Sequence, residues 1–239
     1  NQPSQATAEL LALEAGQTVA NIDFAMSAGA TISGVISNYT YGGVVGNMQA
    51  IVTPAGADPD APGFSEHYSA YSGYYDGLFT VRGIPPGLHV IQSIGSSYEH
   101  RAGDFYDRKL AFEEADVIDL AATDRVENVT LFAYNEAIIS GRVTRLGTGL
   151  PEVNVNILTS NGCKVVHGET DEAGHYTCRP LPPGTYVVLA SPLYYNESNG
   201  TNLAAKYYND ASDFGSATRI TLTNGARSTA NLILSPPAG

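Results

Sequence analysis

The sequence predicts an all-β fold in which β-sandwiches follow one another along the chain. Three observations predict it: a composition rich in turn residues, segments in which apolar and polar residues alternate, and a set of motifs that occurs twice in the same order. Only 15% of the 239 residues are charged, and 25 Gly and 13 Pro are present. This balance disfavours a helical bundle or a disordered acidic chain and favours short strands joined by turns.

Two successive units share their motifs. The Ile-Ser-Gly motif at 32–34 recurs at 139–141, and the Pro-Pro-Gly turn at 85–87 recurs at 182–184. Later segments also correspond in order: 115–120 with 217–222, and 128–131 with 231–234. We therefore predict two complete sandwiches, at residues 28–134 and 135–239, joined by a short junction that limits their relative movement.

Alternation with a period of two places the strands in order. In a half-buried strand, successive side chains point to opposite faces of the sheet. In the first unit the apolar positions are Met48, Ala50 and Val52, then Phe79 and Val81, then the run 90–94. In the second unit they are Val153, Val155 and Ile157, then the run 185–190, then 219–222 and 231–234. Asn-Gly and Pro-Pro-Gly turns separate these strands.

Residues 1–27 match the end of a further unit. Propensity alone predicts a helix over residues 6–15, but the repeat aligns Leu13 with Leu222 and Gly16 with Gly225 and favours a strand. Residues 21–24 align with 128–131 and are predicted to form a second strand. Such C-terminal strands of a preceding repeat would expose sheet edges. We expect them either to mediate self-association through residues 1–27 or to pack on the first unit.

The motifs of the second unit resemble a known family. In order they are Ile-Ser-Gly-Arg-Val at 139–143, Gly-Leu-Pro at 149–151, Thr-Asp-Glu-Ala-Gly-His-Tyr at 170–176 and Leu-Pro-Pro-Gly-Thr-Tyr at 181–186. This series resembles the carboxypeptidase regulatory-like domain, a Greek-key prealbumin-like β-sandwich, and its relatives the collagen-adhesin B-type repeats. The first unit resembles the family at 32–34, 76–79 and 84–87, and differs by a longer insertion at 55–72.

The resemblance implies a module that is not an enzyme. None of the five His has the spacing of a zinc anchor, and no serine-hydrolase elbow is present. Relatives in Gram-positive adhesins can form a Lys–Asn crosslink, which needs a Lys on the first strand. Because Lys109, Lys164 and Lys206 all lie elsewhere, no such crosslink is expected.

Two cysteines leave a disulfide open. Cys163 and Cys178 lie on the two arms of one predicted hairpin, four positions out of register. A bend at Asn161-Gly162 could bring their Cα atoms within the roughly 7 Å that a bridge requires. A bridge and two free thiols are equally compatible with this spacing.

No cofactor is expected, and calcium is the best candidate ion. Asp58 and Asp60, and Asp210 and Asp213, place carboxylates on two predicted loops. Hard cations prefer oxygen ligands, but neither loop has the spacing of an EF-hand. Solvated acidic loops are the alternative interpretation.

Tyrosines are the candidates for ligand contact. Tyr68, Tyr71, Tyr74 and Tyr75 cluster at the end of the insertion at 55–72. Exposed tyrosines on a rigid scaffold can contact a protein or a carbohydrate ligand, although the absence of Trp weakens the carbohydrate interpretation. The alternative is that the insertion is merely tolerated.

The net charge of −12 disfavours a nucleic-acid partner, because phosphate binding needs clustered Lys and Arg. No stretch approaches the roughly 18 apolar residues of a membrane span, so membrane insertion is not expected. The start at Asn1, without Met, predicts a fragment of a longer product. The sequence thus predicts a non-catalytic tandem spacer or adhesive segment of a secreted or cell-surface bacterial protein. The alternative is an accessory carbohydrate- or protein-binding module of a secreted hydrolase.

Overall fold

Strands make up the regular structure of the chain. The structure, a computed structural model, describes residues 11–20, 28–57, 67–95, 100–192 and 202–237. Within these ranges there are eighteen strands and two short 3₁₀ turns, at Tyr106–Arg108 and Phe112–Glu114. The predicted all-β class is confirmed.

Eight strands form the first sandwich. They are β1 (Ala30–Asn38), β2 (Gln49–Pro54), β3 (Tyr68–Tyr71), β4 (Leu78–Ile84), β5 (Gly87–Ile94), β6 (Arg101–Gly103), β7 (Ile118–Leu120) and β8 (Arg125–Asn135). One sheet has the strand order β4-β1-β8-β6 and the other has the order β3-β2-β5-β7. The first and last long strands, β1 and β8, pair in parallel, so the chain closes the sheet on which it began.

Ten strands form the second sandwich. They are β9 (Ala137–Arg145), β10 (Thr148–Gly149), β11 (Asn154–Thr159), β12 (Lys164–Glu169), β13 (His175–Leu181), β14 (Gly184–Ser191), β15 (Lys206–Tyr207), β16 (Ile220–Leu222), β17 (Arg227–Thr229) and β18 (Leu232–Ile233). One sheet centres on β9, which pairs with β10, β13, β17 and β18, and the other has the order β12-β11-β14-β15 with β16 beside β14. The parallel closure recurs, since β17 and β18 run parallel to β9.

The predicted alternation builds two separate cores. Ala50 and Val52 on β2 are fully buried, as is Met48 just before it, and so are Val155 and Ile157 on β11. Each set packs inside its own sandwich, and the two apolar clusters have no buried member in common. Each sandwich therefore has its own hydrophobic core.

The repeated Ile-Ser-Gly motif has a steric cause. A Cβ at Gly34 would collide with the carbonyl oxygen of Val129, and a Cβ at Gly141 would collide with that of Ala230. The first strand of each sandwich thus approaches its parallel neighbour closely, and only glycine fits there. The motif marks the parallel closure of each sandwich.

Two expectations about strand positions need correction. Residues 11–20 contain neither helix nor strand and turn at Ala15-Gly16, so the strand predicted over residues 6–15 is absent from its described part. The predicted strand at 21–24 lies outside the described residues. The insertion at 55–72 is not all loop, because it contains β3, an edge strand that pairs with β2 as β12 pairs with β11.

Glu136 is the single residue between β8 and β9. β8 continues to Asn135, one residue past the predicted boundary at 134, and β9 starts at Ala137. With so short a link, the end of one sandwich lies directly against the start of the next.

Candidate functional site

A loop of the first sandwich reaches onto the second, and we call residues 104–117 the clasp. The rings of Phe105 and Phe112 pack edge to face with their centroids 6.1 Å apart. The backbone nitrogen of Phe105 donates a hydrogen bond to the carbonyl oxygen of Lys109 at 3.0 Å. These contacts fold the clasp into a compact loop that contains both 3₁₀ turns.

Asp104 anchors the clasp to the first sandwich. Its carboxylate accepts hydrogen bonds from the backbone nitrogen of Phe132 at 2.9 Å and from the Tyr134 hydroxyl at 2.8 Å. Its own backbone nitrogen donates to Ser93 Oγ at 3.0 Å. Burial raises the pKa of Asp104 to about 6, and the hydrogen bonds oppose this only in part. The anchor is therefore a buried acid with both oxygens bonded.

Leu110 and Glu114 carry the clasp onto the second sandwich. Leu110 packs against the second core and lies over Gly184, where an added Cβ would be 2.7 Å from Leu110 Cδ1. Glu114 Oε1 accepts hydrogen bonds from Thr159 Oγ1 at 2.7 Å and from Asn161 Nδ2 at 2.8 Å. An apolar contact and a charge-assisted pair of hydrogen bonds thus hold the same loop.

A second set of contacts lies at the Asn224-Gly225 turn. Asn224 Nδ2 donates to Thr40 Oγ1 of the first sandwich at 2.6 Å. The backbone nitrogen of Gly225 donates to the carbonyl oxygen of Asn135 at 3.1 Å. Asn224 Oδ1 is buried and accepts no hydrogen bond from any described residue.

The linking residue Glu136 makes a third contact. Its Oε1 lies 2.9 Å from His100 Nδ1 and 3.7 Å from Arg179 Nη1, and its side chain is only 10% exposed. His100 belongs to the first sandwich and Arg179 to the second, so one carboxylate connects both. Beside these contacts, a cleft of about 630 Å³ separates Val90 and Val117 from β12.

The predicted tyrosine cluster divides in two. Tyr68 is half-buried and packs against the first core, whereas Tyr71 and Tyr75 are 70% and 90% exposed. The rings of Tyr74 and Tyr75 pack edge to face with centroids 4.9 Å apart. Tyr41, which the sequence did not single out, lines a groove of about 340 Å³ with Tyr74. We call Tyr41, Tyr71, Tyr74 and Tyr75 the tyrosine surface.

A family match covers the second sandwich. Residues 138–235 match the sequence profile of the carboxypeptidase regulatory-like domain. The second sandwich is therefore similar to this domain, and we call it the regulatory-like domain. The predicted resemblance is confirmed for these residues, and no curated protein matches the chain.

Several solved structures are similar to the chain that carries this regulatory-like domain. The Bacillus anthracis TIE protein is 17% identical with a TM-score of 0.31, over 87% of this chain and 34% of that one, so this chain spans about a third of that protein. The minor pilin of Streptococcus agalactiae is 12% identical with a TM-score of 0.35, over 88% and 98%. The shaft pilin of Lactobacillus rhamnosus GG is 9% identical with a TM-score of 0.31, over 89% and 99%.

Both cysteines of the regulatory-like domain are free thiols in the structure, and their positions disfavour the disulfide that the spacing left open. Cys178 points into the core, where its Sγ lies 3.7 Å from the carbonyl oxygen of Val155. Cys163 lies just before β12, beside the far end of β11, where its carbonyl oxygen accepts from the backbone nitrogen of Thr159 at 2.8 Å. Four residues of strand, roughly 13 Å, separate the two sites, which is beyond the reach of a bridge.

In the regulatory-like domain, the carboxylates of Asp210 and Asp213 bond to neighbouring residues of their own loop. Asp210 pairs with Lys206 at 2.9 Å, and Asp213 accepts hydrogen bonds from the nitrogen and the hydroxyl of Ser216. In the described ranges, no three His, Cys, Asp or Glu side chains cluster as a metal site. Asp58 and Asp60 lie outside the described residues. Calcium therefore stays a prediction.

The clasp was missed at the sequence level. Its docking residues, Leu110 and Glu114, belong to no motif, and their partners lie far along the chain. One usable signal was the shared spacing of aromatic residues, since Phe105 and Phe112 recur as Tyr207 and Phe214. Among the described residues, no helix has the length and hydropathy of a membrane span.

Proposed function

We propose that the chain is a non-catalytic spacer or adhesive segment of a secreted or cell-surface bacterial protein, in which the clasp holds two sandwiches as one rigid body. The observation that carries the proposal is the docking of Leu110 and Glu114 onto the second sandwich. A spacer needs stiffness between its units, and a one-residue link with contacts on several sides supplies it.

The charge of the chain supports this role. With a net charge of −12, the surface is well solvated outside the cell. The contacts at the junction do not rely on the net charge of the chain, because they combine apolar packing with short hydrogen bonds. A rigid, acidic and non-catalytic module fits a position between a surface and a working domain.

Rotational diffusion measured by NMR relaxation tests the proposal. In the wild-type chain, amides of both sandwiches should report one common diffusion tensor. Leu110→Ser should split it into two faster-tumbling bodies, since the apolar contact over Gly184 is lost. Leu146→Ser is the matched control, because Leu146 is 92% exposed and lies away from the junction. Two independent tensors in the wild-type chain would refute the rigid spacer.

The tyrosine surface favours a second candidate, an accessory module that binds carbohydrate or protein. Large exposed aromatic rings beside a rigid sheet are typical of ligand contacts. A glycan array with Tyr71→Ala and Tyr74→Ala tests this candidate, with Leu146→Ala, an exposed residue outside the surface, as the control. Loss of binding in the first two variants supports a binding module, and no binding by the wild-type chain rejects the carbohydrate version.

We also propose that residues 1–27 mediate self-association. The sequence match of residues 21–24 to the strand-forming segment 128–131 supports the proposal, because unpaired strands add readily to other sheets. Sedimentation of the chain with and without these residues should show concentration-dependent association only when they are present. Identical monomeric behaviour of both chains would refute it.

A further inference from the structure

Both described Asn-Gly sequences lie at the junction. Asn-Gly occurs at 161–162, 199–200 and 224–225, and the second of these lies outside the described residues. Asn161 donates its amide to Glu114, and Asn224 donates its amide to Thr40. Each asparagine thus bonds across the junction through the group that deamidation removes.

Deamidation at Asn-Gly needs no enzyme and no oxidant. The backbone nitrogen of the glycine attacks the side-chain amide carbon, and the missing Cβ leaves the approach open. A C–N bond forms, the bond to the amide nitrogen breaks, and ammonia leaves with the proton of the attacking nitrogen. Water then opens the cyclic imide at either carbonyl and gives aspartate or isoaspartate.

The docked junction blocks this attack at both sites. The attacking nitrogens are engaged, since the nitrogen of Gly162 donates to Thr159 O and the nitrogen of Gly225 donates to Asn135 O, each at 3.1 Å. The amide of Asn161 is held by Glu114. The bonds of Gly225 to Asn135 and of Asn161 to Glu114 join the two sandwiches, so undocking releases both. The bond of Gly162 to Thr159 lies within the second sandwich and remains.

The product cannot restore the same contacts. A carboxylate at position 161 would face the Glu114 carboxylate instead of donating to it, and like charges in contact repel. At position 224, Asn224 Oδ1 is already buried without a donor, so a carboxylate there would bury an uncompensated charge. Both products disfavour docking.

We propose that the junction is a deamidation site, at which undocking opens Asn161 and Asn224 to deamidation and the carboxylates formed then prevent redocking. This inference rests on the rigid junction of the proposed function. It makes the stiffness of the segment a property that is lost irreversibly once the junction has opened.

Peptide mapping by mass spectrometry tests the protection. The full chain and synthetic peptides spanning 158–165 and 221–228 are aged at neutral pH, and conversion at each asparagine is followed. Because a protected site reacts only through its open fraction, both sites should react more slowly in the chain, by about tenfold for every 1.4 kcal/mol of docking free energy. Leu110→Ser should raise the rate at Asn224 towards that of its peptide and the rate at Asn161 by less, because the nitrogen of Gly162 keeps its bond to Thr159 O; Leu146→Ser should leave both rates unchanged.

Asn161→Asp tests the consequence, with Asn161→Ser as the control that removes the hydrogen bond without adding charge. The aspartate variant should tumble as two bodies while both sandwiches keep dispersed amide spectra, and the serine variant should retain more docking. Equal deamidation rates in all chains, or a rigid Asn161→Asp chain, would overturn the inference while the wild-type chain still tumbles as one body. If the wild-type chain itself tumbles as two bodies, the proposed function fails instead.

Discussion

The clasp of the first sandwich and residues 206–219 of the second are equivalent loops with the same internal contacts. Only the clasp docks onto the other sandwich. Phe105 and Phe112 pack edge to face at 6.1 Å, and Tyr207 and Phe214 do so at 6.2 Å. In each loop the first aromatic residue donates a backbone hydrogen bond to the residue four positions later, Lys109 or Ala211. The aromatic pair and this hydrogen bond therefore fix the shape of the loop.

Different residues decide what the loop touches. The positions of Leu110 and Glu114 in the clasp are Ser212 and Ser216 in the second loop. Ser216 turns back onto Asp213, so the second loop is closed on itself. Docking is therefore a property of two side chains, and the fold of the loop is independent of it.

The anchor of the clasp gives the largest expected effect. Asp104 has Lys206 as its counterpart, and only Asp104 is buried. The unfolded chain ionises this carboxyl near its ordinary value of 3.8, whereas the folded chain does so at about 6. The folded state binds more protons between those values, so its stability falls as pH rises from about 4 to 6, by roughly 3 kcal/mol, and stays lower above that.

Urea unfolding followed by tyrosine fluorescence across this pH range measures that loss. Asp104→Asn should lack it, because an amide can still accept from Phe132 and donate to Tyr134 without ionising. Asp210→Asn is the matched control on the second loop, since Asp210 is 78% exposed and should leave the wild-type pH dependence intact. If the free energy of unfolding changes with pH by the same amount in the wild-type chain and in Asp104→Asn, Asp104 does not cause the loss of stability.

The contrast between the loops also shows what sequence could predict. The alternation at Met48, Ala50 and Val52 placed β2 and its buried face, because period-two burial is a local property. Docking at Leu110 could not be predicted in this way, since Leu110 lies over Gly184, which is many residues later in the chain. The sequence also predicted where the tyrosines cluster, but not that Tyr68 differs from the exposed ones. Only the pairing of the strands shows that Tyr68 faces the core.

Exchanging the docking residues tests whether they alone separate the two loops. Leu110→Ser with Glu114→Ser gives the clasp the residues of the second loop. We expect the clasp to keep its fold and lose its docking, at a cost of about 2–3 kcal/mol in unfolding free energy from one apolar contact and one charged hydrogen-bond pair. Calorimetry should then resolve two transitions, and one unchanged transition would contradict the assignment.

A double-mutant cycle measures how much the hydrogen bond between Glu114 and Asn161 contributes to docking. Glu114→Ala and Asn161→Ala should show a coupling of about 1–2 kcal/mol, as expected for a hydrogen bond to a charged acceptor. The matched pair on the second loop, Lys206 and Asp210, should couple by only about 0–0.5 kcal/mol, since it is a surface ion pair. Equal couplings in the two cycles would show that the loops do not differ in this respect.

The cysteines give the smallest expected effect, because neither loop depends on a disulfide. Burial raises the pKa of the Cys178 thiol to about 12, and the thiolate is the reactive form. Thiol titration should therefore find Cys178 unreactive in the folded chain and both thiols reactive in denaturant. Addition of a reductant should leave the melting temperature unchanged. A lower melting temperature on reduction would instead reveal a Cys163–Cys178 bridge, and β11 and β13 would then have to shift to bring the two residues together.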